Sequence, residues 1–483
     1  MNPAPSSLRN QMAYLDAELA TQKQSLDETR RRIKLIKAHK AALQAQLDAV
    51  GFPVNSIPVE LLARIFRFVR YADGFGQPQC SPQTLRGVCR TWREVAEGSS
   101  ELWTHLSVNL KAPYIPSMLT MLLLQWFGRA GGRALDFTLI GPSKQGTHLA
   151  SLEPLFRLYS SQMRRLTLRE MGEEDLRVLD QWKVAFPILV EAQVGVSGKE
   201  TVEGITFLDN APQLRTYKLG KILLGWQTPW SRLTSFTSLG PMTALHIVNA
   251  LATFPELVSL DIVLLRENGT GDRPAAPLVH PALQHLHVSA STPADLALFL
   301  DAFTLPSLHT LDLGTTPQPE HFAPTLGAFF ARSQPPLRAV SFYNPTLPLV
   351  SALAQRFPLT RLDLGAPSAQ FVADFFRAYA AEPGFLPALH TLGFTIREDI
   401  SLIPAFARVE HFIRSAPGIR QRWASVGASF AMRVLRVRRV EGDVHFGRFF
   451  PDSEIAVFRE LKAHGMEVYM DENKYGQCGV RVE

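Results

Sequence analysis

Residues 8 to 50 carry apolar side chains every three or four positions for six heptads. With Met12, Leu19, Leu26, Ile33, Lys40 and Leu47 at position a, position d falls on Leu8, Leu15, Gln22, Thr29, Ile36, Leu43 and Val50. Ten of these thirteen positions are apolar, and neither Pro nor Gly interrupts them. The spacing predicts one long helix with a coiled-coil seam. Gln22, Thr29 and Lys40 place polar groups in that seam, where such residues set register or oligomer state. Gly51, Phe52 and Pro53 end the helix. The heptads leave two readings open: a homodimer through residues 8–50, or a helix lying along the protein's own body.

From residue 104 to about 450 the pattern changes to apolar-x-x-apolar-x-apolar, usually after a Pro. The clearest copies start at Leu257, Leu283, Leu308, Leu337, Leu359 and Leu389, in steps of 26, 25, 29, 22 and 30 residues. Weaker copies start at Trp103, Met163, Leu189, Leu214, Leu233 and Met432. Between them lie stretches of helical period, such as Thr243 to Phe254, Asp295 to Phe303, His321 to Phe330 and Phe371 to Tyr379. Pro255, Pro306, Pro335, Pro358 and Pro387 stop those helices and force an extended path into the next strand. Strand and helix alternating at this period predict an α/β fold, a parallel sheet with helical returns. The spacing resembles leucine-rich repeats in an irregular solenoid. Ser453 to Gly465 reads as a last helix with Ser453 as its cap, and Met466 to Met470 as a terminal strand.

Between these two regions lies a short helical module. Pro58 suits a helix start, and Leu61, Leu62, Ile65, Phe66 and Val69 follow at helical spacing. Asp73, Gly74 and Pro78 break the pattern, and Leu85, Val88, Cys89 and Trp92 resume it. Three short helices bury little surface, so their apolar residues must be shared between an internal core and a partner. The run Ile57-Pro58-Val59-Glu60-Leu61-Leu62, paired with Val88-Cys89-Arg90-Thr91-Trp92-Arg93 and closed by Leu102-Trp103, resembles an F-box. The resemblance covers about a tenth of the chain. It implies docking on the Skp-type adaptor of a cullin ubiquitin ligase through Ile57, Pro58, Leu61, Leu62, Ile65, Val88, Cys89 and Trp92. Ile57 stands where Leu is commoner, and the insert between the helices is long. With the flanking patterns, the whole chain resembles fungal F-box proteins with an N-terminal coiled coil and degenerate leucine-rich repeats. The expected divisions are a long helix at 1–52, an F-box at 53–103, the solenoid at 104–450 and a cap with tail at 451–483.

Composition narrows the class. Charged residues make up 19% of the 483 residues and hydrophobic ones 46%, which fits a buried repetitive architecture rather than disorder. The chain opens into a charged helix, and no apolar run reaches the ~18 residues of a membrane span, so neither a secretory leader nor a membrane segment is expected. Three cysteines, Cys80, Cys89 and Cys478, give neither a disulfide framework nor a Cys-rich zinc site, which points to the cytoplasm or nucleus. The net charge of +6 is local. Residues 408–439 hold eight arginines and one acid, a charge of +7, leaving about −1 for the rest. Arg420, Arg422, Arg433, Arg436, Arg438 and Arg439 are the candidate ligand-binding residues, suited to an acidic or phosphorylated ligand. Nucleic acid is the alternative, weakened by thin aromatic interleaving.

No catalytic motif is present. The chain has no nucleophile elbow, phosphate loop, dinucleotide fingerprint or zinc-protease helix. His280, His285 and His287 read as surface histidines rather than metal ligands, and Cys89 as a buried apolar contact rather than a nucleophile. Asp261, Asp312 and Asp363 recur between the last two apolar positions of their repeats and should face away from the core. The expected function is substrate recognition within an SCF-type ubiquitin ligase, with no catalysis, cofactor or metal of its own. An F-box scaffold outside degradation, or a nucleic-acid or phospho-ligand module, is the alternative. The client protein is not identifiable from sequence.

Overall fold

The computed structural model describes residues 5–49, 57–70, 82–111, 115–142, 147–197, 202–203, 206–220, 222–223, 230–264, 277–290, 292–314, 323–397, 417–427, 430–440, 452–463, 465–473 and 480–481. The chain divides into two compact units, Met1–Leu102 and Trp103–Glu483.

The first unit begins with the long helix α1, Pro5–Ala49, which runs unbroken for 45 residues as the heptads predict. Three short helices follow: α2 (Val59–Arg70), α3 (Pro82–Val88) and α4 (Arg90–Gly98). They close around Leu62, Phe66, Leu85, Val95 and Ala96, all buried. Phe66 packs on Trp92 with ring centroids 4.9 Å apart.

The second unit is built on one fifteen-stranded sheet whose spatial order follows chain order. Its strands are β1 (His105–Asn109), β2 (Leu135–Ile140), β3 (Met163–Met171), β4 (Glu191–Val196) and β5 (Thr216–Leu219). There follow β6 (Ser235–Met242), β7 (Ser259–Leu264), β8 (His285–Ala290), β9 (Thr310–Leu313) and β10 (Ala339–Tyr343). The last are β11 (Arg361–Gly365), β12 (Thr391–Arg397), β13 (Val434–Val440), β14 (Glu467–Asn473) and β15 (Val480–Arg481). Every pairing is parallel except β14 with β15. Parallel neighbours need a crossover, and helices supply most of them. The longer ones are α5 (Pro116–Gly128), α6 (Glu153–Tyr159), α7 (Glu173–Gln181), α8 (Ala244–Thr253) and α9 (Pro293–Asp301). They continue with α10 (Ala323–Ser333), α11 (Leu347–Arg356), α12 (Ala369–Ala381), α13 (Pro417–Val426) and α14 (Asp452–Ala463). Sequential stacking of this kind is a solenoid.

The repeat positions explain the core. Leu260, Leu286, Leu311, Val340, Leu362, Leu392, Leu435 and Val468 stand in one register row across eight strands, and all are buried. Before β7 to β12 the leucine two residues ahead of the strand (Leu257, Leu283, Leu308, Leu337, Leu359 and Leu389) is buried as well. Aromatic rings from the helices fill the layer above. Phe127 meets Phe137 edge-on at 5.3 Å, and Phe375 meets Phe394 edge-on at 6.1 Å.

Three details differ from the sequence expectation. Strand β2 alternates, Leu135-x-Phe137-x-Leu139, without the preceding x-x spacing, so the repeat pattern passes over it. The terminal strand expected over 466–470 is present as 467–473, but instead of standing apart in a cap it pairs with β13 and extends the same sheet. Trp103, expected to close the three-helix module, belongs to the solenoid core. Its ring meets Trp126 at 4.8 Å and lies under the Arg129 guanidinium at 4.7 Å. Among the described residues no helix is long and apolar enough to cross a membrane.

Candidate functional site

Helix α2 shows how the short module divides its apolar residues. The Leu62 N–H donates to the Pro58 carbonyl at 3.0 Å, so Pro58 lies one residue outside the helix and accepts its first bond. Glu60 in the first turn suits the helix dipole. Leu62 and Phe66 are 2% and 1% exposed, while Leu61, Ile65 and Phe68 are 51%, 45% and 73% exposed. The second set falls at i, i+4 and i+7, one continuous outward face. Val59 and Val88 are exposed too, and Ile57 is half-buried. An apolar face beside a closed internal core marks an interaction surface.

The eight expected adaptor contacts therefore separate. Pro58, Leu61, Ile65 and Val88 are exposed, and Ile57, Cys89 and Trp92 are half-buried. Leu62 points into the module's own core. Cys89 is not a buried apolar contact. Its backbone is extended and its Sγ accepts from the Trp92 N–H at 3.5 Å, capping α4. Two ion pairs brace the helices, Arg86 with Glu97 at 2.5 Å and Arg67 with Glu101 at 2.6 Å. Such exposed pairs contribute little stability but help fix orientation.

The sheet face away from the core is the second candidate surface. Register places Asp261, His287, Asp312, Ser341, Asp363, Gly393, Arg436 and Tyr469 side by side across β7 to β14. His287 bridges its neighbours, with Nδ1 3.0 Å from Asp312 and Nε2 3.7 Å from Asp261. The Asp312 hydrogen bond raises the His287 pKa, burial opposes that, and both carboxylate charges reinforce it. Burial pushes Asp312 up, but the His287 hydrogen bond and charge, with Ser341 and Arg361, hold it below the usual range. Asp261 goes the other way, raised by burial in spite of His287. Asp363 accepts from Arg361 at 2.5 Å, and any Cβ at Gly393 would overlap its carboxylate, so glycine keeps that space open. Towards the start of the sheet the charges cancel. Arg165 lies 3.6 Å from Asp136 and 3.4 Å from Glu191, and Lys218 lies 3.7 Å from Glu191. The histidine bridge was legible in principle. His287 occupies, in its own repeat, the slot that Asp261 and Asp312 occupy in the repeats on either side. His280 takes no part in it: it is buried, with Nε2 3.0 Å from the Phe254 carbonyl oxygen.

The candidate arginines whose side chains are described take separate places. Arg422 is a correction to the ligand-binding reading, being 3% exposed. Its guanidinium donates to the carbonyls of Tyr379, Glu382, Pro383 and Phe385 at the end of α12, satisfying groups that the helix terminus leaves unpaired. It also lies 5.0 Å from the Tyr379 ring. Arg332 does the same for α9, donating to the Leu300 and Phe303 carbonyls at 2.7 and 3.0 Å. Arg420 pairs with Glu460 at 3.3 Å. Arg433 is exposed before β13, and Arg436 lies 5.6 Å over the Tyr469 ring. Arg438 and Arg439 follow on β13, in register with Asp471 and Glu472. Arg408 and Arg414 lie outside the described residues.

The F-box-like family matches residues 54–109, which takes in α2, α3, α4 and β1. A comparison with curated proteins finds no match. Among solved structures, the chain is similar to an internalin from Listeria monocytogenes at 12% identity, over 86% of this chain and 98% of that one, with a TM-score of 0.25.

Proposed function

We propose that this chain is the substrate-recognition subunit of an SCF-type ubiquitin ligase. An F-box-like domain joined to a repeat solenoid is the layout of a protein-interaction adaptor. In this reading α2 presents Leu61, Ile65 and Phe68, with Val59 and Val88, to a Skp-type adaptor and through it to a cullin. The solenoid holds a protein client, and the open sheet face around Asp261, His287, Asp312 and Asp363 is its contact surface. The chain itself performs no chemistry. It raises the local concentration of the client's lysine at the ubiquitin-charged enzyme, a proximity effect. The work takes place in the cytoplasm or nucleus.

The observation that carries the reading is the outward apolar face of α2. A helix serving only as a cap has no use for three exposed apolar side chains in a row. The basic segment gives weak support to a nucleic-acid or phospho-ligand module, since Arg422 is buried and Arg420 is paired.

The test is a titration of the full chain with a Skp-type adaptor. Wild type binds, and the double variant Leu61→Glu/Ile65→Glu loses at least ~10-fold in affinity while melting as wild type does. Absence of binding by wild type sinks the proposal. Recovery of a cullin and a ubiquitylated client from cells separates degradation from scaffolding.

A further inference from the structure

Helix α1 is 45 residues long, on the order of 67 Å at 1.5 Å per residue. Every described side chain from Leu8 to Gln46 is exposed. Those exposed residues include Leu8, Met12, Leu15, Leu19, Leu26 and Ile33, the aliphatic seam itself. An isolated helix gains little stability from propensity and needs its apolar stripe packed. Apart from Tyr14 and Leu35, the large apolar residues keep to a and d, a narrow stripe with the geometry of a coiled coil rather than of a helix sunk into a globular core.

We propose that this seam pairs with a second copy of the same chain as a two-stranded coiled coil. Length selects the occupant. Among the described residues, the exposed apolar strips on other helices run from Val59 to Phe68 on α2 and from Ile115 to Leu122 on α5. Each spans only about 10–15 Å. A second α1 offers a strip of the same length and the same period. Two such seams facing each other remove on the order of 1,500 Å² from water, within the size class of stable specific interfaces.

The polar seam positions select the number of strands. Lys40 at a can reach solvent past the edge of a two-stranded pair by extending its alkyl stem. In a thicker bundle the same ammonium would sit unpaired in a closed core, its lost hydration uncompensated. Gln22 and Thr29 weigh against a larger assembly in the same sense. The inference does not depend on the adaptor reading. If both hold, one particle carries two outward α2 faces and two open sheet faces, and tethered clients bind with avidity.

Light scattering or sedimentation equilibrium on the full chain, over a series from ~1 to ~100 µM, tests it. The expected mass is twice that of one chain. The exposed seam variant Leu19→Glu/Leu26→Glu is expected to run at the mass of a single chain, a loss of at least ~100-fold in self-association. Leu35→Glu, exposed but off the seam, is expected to stay at double mass. Thermal melting of the solenoid stays the same in all three proteins. A single-chain mass for wild type overturns the proposal. So does a mass of three or more chains, or a double mass that survives the seam variant.

Discussion

On α2 two adjacent apolar residues go opposite ways: Leu62 is buried, and Leu61 is half exposed. On β8 the division follows the sequence alone. Leu286 and Val288 face the core, while His285 and His287 face away. The contrast comes from core thickness and from geometry. A strand sends alternate residues to opposite faces, so parity decides the side. A three-helix module encloses too little volume to absorb every apolar residue it carries, so the surplus stays outside. In the solenoid the described exposed apolar residues are scattered apart from the strip Ile115 to Leu122 on α5; in the module they form the surface.

The comparison breaks most clearly at the core of each region. Phe394→Ala in β12 removes a ring packed on Phe375 and Phe376 and should cost about 3–5 kcal/mol of solenoid stability by urea unfolding. Leu61→Ala should cost under ~1 kcal/mol, because its side chain already meets water. Equal costs would show that the α2 face is not free.

The next largest effect separates structural from available arginines. Arg422→Met strips four backbone carbonyls of their donor and should cost about 2–3 kcal/mol. Arg433→Gln, exposed on the same basic segment, should stay within ~0.5 kcal/mol. A tolerant Arg422 in denaturant titration would return it to the list of ligand contacts.

The smallest effect concerns the histidine bridge on the sheet. His287 has a raised pKa, so its share of stability is complete below the unfolded value of about 6.5 and fades as pH rises through the folded value. Asp312 is lowered, so its share is present above about 3.9 and is lost as pH falls through its folded value. The pair contributes most between those limits. Wild type should melt lower at pH 8 than at pH 6, and His287→Asn should flatten that slope. An unchanged slope in the variant would remove His287 as the responsible group. Solvent screens the bridge, so only the direction is expected to be large enough to read.

Much of the fold was legible because repeated strands announce themselves. Leu257, Leu283, Leu308, Leu337, Leu359 and Leu389 each precede a strand of the sheet by two residues. Strand β2 escaped because its alternation starts without that leading leucine. The candidate site was legible only in part. The motif located the module, but not which of Leu61 and Leu62 turns outward, since both fit one helical stripe at the resolution of spacing. The basic cluster misled for a related reason. Arginines close in sequence left on α13 and β13, and one was drawn into the core to satisfy the end of α12.

What the sequence by itself determined is whatever depends on period: the long helix, the strand rows, the parity that sets Asp261, His287 and Asp312 on one face, and the order of the repeats. These follow from local geometry that every residue of an element shares. Tertiary structure alone decided the fate of single groups. It turned Cys89 into a cap, committed Arg422 to four carbonyls, moved Trp103 into the solenoid, and left Leu61 outside while Leu62 went in. Each of these depends on which unsatisfied group or unfilled space lies nearby, and that neighbour comes from another element of the chain.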